Sequence, residues 1–153
     1  MKKPNSSMQL TRAADYAVRV MVQLAASPTD QRVLLPELAA ATDAPESFLS
    51  KVLQALSRAG LIDSKRGQTG GFHISSRGRA ASMLDVVEAI DGPILLNLCL
   101  ASGKSCHRKA HCPASPVWER AQRAMLQVLS QAKIADMAAE RAEPVCAGAC
   151  GQR

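Results

Sequence analysis

Between Pro45 and Ile74 the chain reads PESFLSKVLQALSRAGLIDSKRGQTGGFHI, an amphipathic run that passes straight into a basic, glycine-rich hairpin. Few small architectures accept that order. Phe48, Leu49, Val52, Leu53 and Leu56 recur at helical spacing and form the expected inner face of a helix from about Pro45 to Ala59. Ser47, Ser50, Lys51, Gln54 and Arg58 fall at i, i+3, i+4, i+7 and i+11, and so share the outer face. Gly60 can adopt the left-handed conformation that a helix stop requires. Leu61–Ile62 then reads as a short strand, residues 64–71 as a turn, and Phe72–His73–Ile74 as the returning strand.

Upstream, Thr11 is placed to cap a first helix with Tyr16, Ala17, Val20, Met21 and Leu24 on its apolar side. SPTDQ (27–31) is a turn, and a second helix opens near Pro36 with Leu38, Ala39 and Ala41. The expected fold is therefore mainly α with a small β wing, a winged helix-turn-helix plan. Serine and glutamine can hydrogen-bond base edges or phosphates, while lysine and arginine neutralise phosphates or read guanine. Glycines at the hairpin tip let backbone approach a phosphate or enter a minor groove. The candidate DNA-binding set is Ser47, Ser50, Lys51, Gln54, Arg58, Lys65, Arg66, Gly70 and Gly71. A polar helix face alone marks only a solvated surface; the basic hairpin that follows it gives the face a meaning. Charge agrees, because residues 1–80 carry 11 Lys/Arg against 6 Asp/Glu while residues 81–153 carry 8 against 7.

Ser82 opens another helix, with Asp85 as its capping-box partner and Met83, Leu84, Val86, Val87 and Ile90 as apolar positions, stopped at Gly92–Pro93. Ser115 is expected to cap a long helix with the stripe Val117, Ala121, Ala124, Met125, Val128 and Leu129. On a chain this small such a helix serves a partner, so the expectation is a homodimer on double-stranded DNA at a palindromic promoter site. The alternative is that it folds back on its own domain. The implied division is a reader at 1–80, a loop and dimerisation helix at 81–142, and a flexible tail at 143–153. No apolar run approaches the ~18 residues that span a bilayer. Arg12, Asp15 and Arg19 interrupt the only N-terminal apolar stretch, so neither a leader nor a membrane partner is expected and the chain reads as cytoplasmic.

Cys99, Cys106 and Cys112 stand in CLASGKSCHRKAHC, between two helical stretches. In a reducing compartment disulfides are disfavoured, and five cysteines cannot all pair. Three soft thiolates this close can converge on one metal centre and leave a position for a fourth donor. His107 and His111 would also permit a Cys3His zinc site, and metal-free thiols are a third possibility. His73, in the wing, reads as a packing or phosphate contact, and Cys146 and Cys150 take no assigned role. No Ser/His/Asp set or nucleotide loop is present, so an enzyme is not expected.

Together MQLTRAADYAVRVMVQLA, PESFLSKVLQALSRAGLIDSKRGQTGGF, LDVVEAIDGP and the three-cysteine loop followed by PVW resemble the IscR/NsrR family of winged-helix regulators, over about residues 8–140. The resemblance implies a dimeric bacterial transcription factor, a repressor, with an iron–sulfur cluster on Cys99, Cys106 and Cys112. IscR-like members add a histidine three residues after the last cysteine, where this chain has Ser115. NsrR-like members add an aspartate from the first helix of the other subunit, and Asp15 stands at that place. Read without the resemblance, Asp15 is an exposed first-turn acid favouring a helix N-terminus. The resemblance thus implies nitric oxide sensing and a 4Fe-4S cluster rather than 2Fe-2S. Sensing of iron, cluster supply or redox state by the same fold is the alternative, as is a structural-zinc DNA-binding protein.

Overall fold

The computed structural model describes residues 10–28, 31–67, 70–101, 106 and 108–142. Helix α1 (Arg12–Ala26) is capped by Thr11, whose hydroxyl accepts the Ala14 amide at 3.2 Å. Ala14, Ala17, Val20, Met21 and Leu24 are buried along one side of it. Each large apolar side chain so removed from water contributes about 1.5–3 kcal/mol before entropy is counted. Helix α2 (Leu35–Thr42) carries Pro36 in its first turn. Asp43, in the left-handed conformation at φ 53°, turns the chain into α3 (Glu46–Arg58).

Two expected core positions differ. Leu49, Val52, Leu53 and Leu56 are buried, but Phe48 remains 37% exposed because it meets Tyr16 of α1 edge-on, with centroids 5.6 Å apart, rather than entering the core. In α2 the inward positions are Leu38, Ala39 and Thr42, while Ala41 faces water.

The wing is a two-stranded antiparallel sheet, β1 (Ile62–Lys65) and β2 (Gly71–Ile74), with Ile62 opposite Ile74 and Lys65 opposite Gly71. Its strands reach further toward the tip than expected, β1 running to Lys65 and β2 starting at Gly71. Val33 adds a bridge to Phe72, with reciprocal backbone hydrogen bonds of 2.9 Å. A short helix, α4 (Ser76–Ala80), follows and was not expected. It lies so close to the start of the wing that a Cβ on Gly78 would clash with the Leu61 carbonyl oxygen.

Helix α5 (Met83–Asp91) begins with the expected Ser82–Asp85 capping box. Beyond the cysteine segment come α6 (Ser115–Gln131) and α7 (Ile134–Ala142). Ser115 is not the cap of α6: Ala114 holds that position, and the buried Ser115 is already helical, its amide bonded to the Cys112 carbonyl. The long helical stretch also breaks at 132–133, where Lys133 bridges Ser82 and the chain turns back. α7 consequently packs against α1, with Ile134 buried in a core shared with α1, α3 and α5. Among the described residues no helix is long and apolar enough to cross a membrane.

Candidate nucleic-acid interface and thiol loop

Helix α3 and the wing enclose an open cleft of about 420 Å³, lined by Ser50, Leu53, Gln54, Ser57, Arg58, Ser64, Lys65, Arg66 and Phe72. Five of the nine sequence-derived candidates therefore face one another there: Ser50, Gln54 and Arg58 from the helix, Lys65 and Arg66 from the wing. Ser47 and Lys51 lie exposed on the same helix, outside the cleft wall. Gly70 closes the hairpin turn, donating its amide to the Gly67 carbonyl at 2.9 Å. A Cβ on Gly70 would lie 2.6 Å from two backbone carbonyls, so the turn admits only glycine there. Gly71 begins β2, and its carbonyl accepts from Arg32 at 3.4 Å.

Ser57 and Ser64 also face the cleft, and sequence reasoning missed both. Ser57 continues the 50/54/58 edge of the helix and could have been found from that spacing; Ser64 required knowing how far β1 extends. None of Lys51, Arg58, Lys65 or Arg66 has a carboxylate partner among the described residues. Cations without counter-charges beside three hydroxyls suit a polyanion backbone. His73 sits across the wing from Asp63, its Nε2 3.6 Å from the carboxylate.

Cys99 lies in a 3₁₀ turn, Leu98–Leu100, packed on α6. Cys106 starts a run of tight turns: its carbonyl accepts from Lys109, the Lys109 carbonyl from Cys112, and the Cys112 carbonyl from Ser115. Cys106 and Cys112 are thereby continuous with the first turn of α6. All three thiols are free, Cys106 exposed and the others partly so. As donors they suit a thiophilic metal, although among the described residues no group of three or more His, Cys, Asp or Glu is drawn together as a metal site. His111 is exposed in the second 3₁₀ turn, Lys109–His111; His107 lies outside the described residues, as do Cys146 and Cys150.

Asp15 occupies the first turn of α1, exposed, and pairs with Arg19 at 2.8 Å. The Arg19 guanidinium lies 5.6 Å from the centre of the Tyr16 ring, which in turn meets Phe48 of α3. Within one chain Asp15 thus connects to α3 through Arg19 and Tyr16, and among the described residues it is not gathered with the thiols.

The profile of the Rrf2 iron-dependent transcriptional regulators matches residues 10–140. The chain belongs to the Rrf2 family. Like other Rrf2 proteins it is a transcription regulator and not an enzyme. The NsrR regulator of Geobacillus kaustophilus is 31% identical over 136 residues, 88% of this chain and 92% of that one. Among solved structures, the Rrf2 fold here resembles the CymR cysteine regulator of B. subtilis (TM-score 0.71, 24% identity, 86% of this chain and 97% of that one). It also resembles the IscR of T. potens (TM-score 0.70, 24% identity, 92% and 93%).

Proposed function

We propose that this Rrf2 protein is a homodimeric repressor of the cytoplasm, binding a palindromic promoter site with an affinity set by an iron–sulfur cluster that senses nitric oxide. Cys99, Cys106 and Cys112 would hold the cluster, and Asp15 of the opposite protomer would supply the fourth donor; 4Fe-4S is favoured over 2Fe-2S. Residues 1–80 would read DNA, through Ser47, Ser50, Lys51, Gln54, Arg58, Lys65, Arg66, Gly70 and Gly71. Residues 81–142 would carry the cluster loop and the dimer helix. The observation that carries the reading is the thiol loop: three free cysteines, two of them on turns running directly into α6.

When bound, such a cluster supplies iron that reacts with nitric oxide. The chain supplies the rest. Its thiolates are soft donors that would hold the iron, and the Asp15 carboxylate is a harder, weaker donor that would hold it less firmly. Asp15 has a waiting partner in Arg19, whose guanidinium also leans on Tyr16 and, through it, on Phe48 of α3. Exchange of Asp15 between iron and Arg19 would therefore alter contacts at α3. Helix α6 offers the seam: Val117 is 56% and Val128 65% exposed, in line with exposed Ala121 and Ala124.

One observation favours a second reading. The Asp15–Arg19 pair is complete within one chain, and if Asp15 stays there the fourth position is left open, which suits a sensor of iron supply or redox state. Anaerobic purification tests the site itself. The protein is expected to be brown, and Cys106→Ala colourless, with iron and sulfide lost together. A full cluster spectrum in Cys106→Ala would refute the ligand assignment, and a colourless protein with stoichiometric zinc would replace the cluster with a structural metal.

A further inference from the structure

Gln122 of α6 reaches back to the backbone that leads into Cys99. Its Oε1 accepts the Leu96 amide at 2.8 Å, and its Nε2 donates to the Ile94 carbonyl at 2.6 Å. A side-chain amide thus does for this irregular segment what a neighbouring strand would do, pairing one donor and one acceptor two residues apart. Only one orientation of the amide satisfies both. All the groups involved are partly buried, so leaving them unmatched would cost more than the bonds themselves contribute.

One turn earlier on the same face of α6, Glu119 lies 3.4 Å from Lys109, which sits between Cys106 and Cys112. That pair is half exposed and contributes little by itself. Its position matters more than its strength, because it puts both limbs of the loop on one helix face.

We propose that Gln122 is the positioning residue of the thiol loop: by bracketing residues 94–96 to α6 it sets Cys99 relative to Cys112, whose turn is already continuous with that helix. The consequence for a metal rests on the cluster reading above; the placement of Cys99 does not. A site whose ligands are held in place beforehand loses less entropy on closing around its metal, and so releases it more slowly.

Gln122→Met tests this, since methionine keeps the volume and helix propensity and removes both bonds. Gln122→Glu keeps the acceptor for Leu96 and loses the donor to Ile94. The full-length apo protein is followed by hydrogen exchange at the Leu96 amide and by alkylation of Cys99 and Cys112, with thermal melting as the check on fold. The anaerobically loaded protein is followed by cluster loss to a chelator. In Gln122→Met, exchange at Leu96 and alkylation at Cys99 should each rise about tenfold, the scale of two lost hydrogen bonds, with Cys112 unchanged and cluster loss faster by a similar factor. Gln122→Glu should fall between Gln122→Met and wild type.

Unchanged Leu96 exchange in a folded Gln122→Met would overturn the proposal, as would faster exchange without faster Cys99 alkylation. A wild-type protein that takes up no iron and sulfide, yet shows both changes in Gln122→Met, would sink the cluster reading and leave Gln122 in its role. A loaded wild type whose Gln122→Met variant matches it in every readout would do the reverse.

Discussion

Asp85 and Asp91 sit at opposite ends of α5 and do different work. Asp85 accepts the hydroxyl and the amide of Ser82, at 2.7 and 2.8 Å, and these bonds hold its carboxyl below the ordinary carboxylate value. A group depressed in the folded state stabilises above its unfolded value and loses that contribution as pH falls through the folded one. Asp85→Asn should therefore melt below wild type at pH 7, by the equivalent of roughly 1 kcal/mol for a lost cap contact. The gap should narrow as pH drops below about 4; a gap unchanged between pH 7 and 3 would remove the charge from the explanation. Asp91 instead binds the amide and hydroxyl of Thr11 at 3.1 and 2.7 Å, tying the end of α5 to the start of α1. The first contact was legible because Ser82 and Asp85 are three residues apart. The second joins residues 80 apart, and nothing in the sequence marks the pair. Phe48 misleads for a related reason: its helical register points inward, but Tyr16 meets it at the rim before the core does.

Helix α3 and the wing were readable because each carries its own period and its own stop, and because their order admits few arrangements. Short α4 was not, since SRGRA has no apolar rhythm; it exists because Ser75 caps it and Gly78 fits against Leu61. Helix α7 was hidden by its alanines, which extend the pattern of α6 past the break that the Lys133–Ser82 bridge imposes. If the cleft between α3 and the wing seats a DNA backbone, Arg58→Ala should weaken operator binding about equally for all sequences. The slope of log affinity against log salt should then become shallower by about 1. Filter binding at several ionic strengths measures this, and an unaltered slope would take Arg58 off the phosphate. On α6, Ala124→Glu puts a charge in the middle of the exposed Val117–Val128 stripe. Sedimentation should then find a folded monomer where the wild type is expected as a dimer; a dimer of undiminished stability would place the seam elsewhere.

The molecule shares one hydrophobic core between the segment that would read DNA and the segment that carries the thiols, because α1 packs against α3, α5 and α7. Asp15, Arg19, Tyr16 and Phe48 form a short line of contacts from the first turns of α1 to α3. Coupling between two such sites is typically ~1–3 kcal/mol, or about 5–150-fold in affinity. The loop cysteines were conspicuous from spacing alone, yet Gln122, which holds the leading limb of their loop, was not, since a glutamine on a helix surface has no signature until its partners are placed. What remains to be joined is the state of the thiol loop and the occupancy of the promoter. Anaerobic titration with nitric oxide, following cluster absorbance and promoter binding in the same sample, joins them. Absorbance and binding should be lost together at matching stoichiometry, whereas a destroyed cluster with promoter occupancy untouched would mean that the loop does not govern how this Rrf2 protein holds DNA.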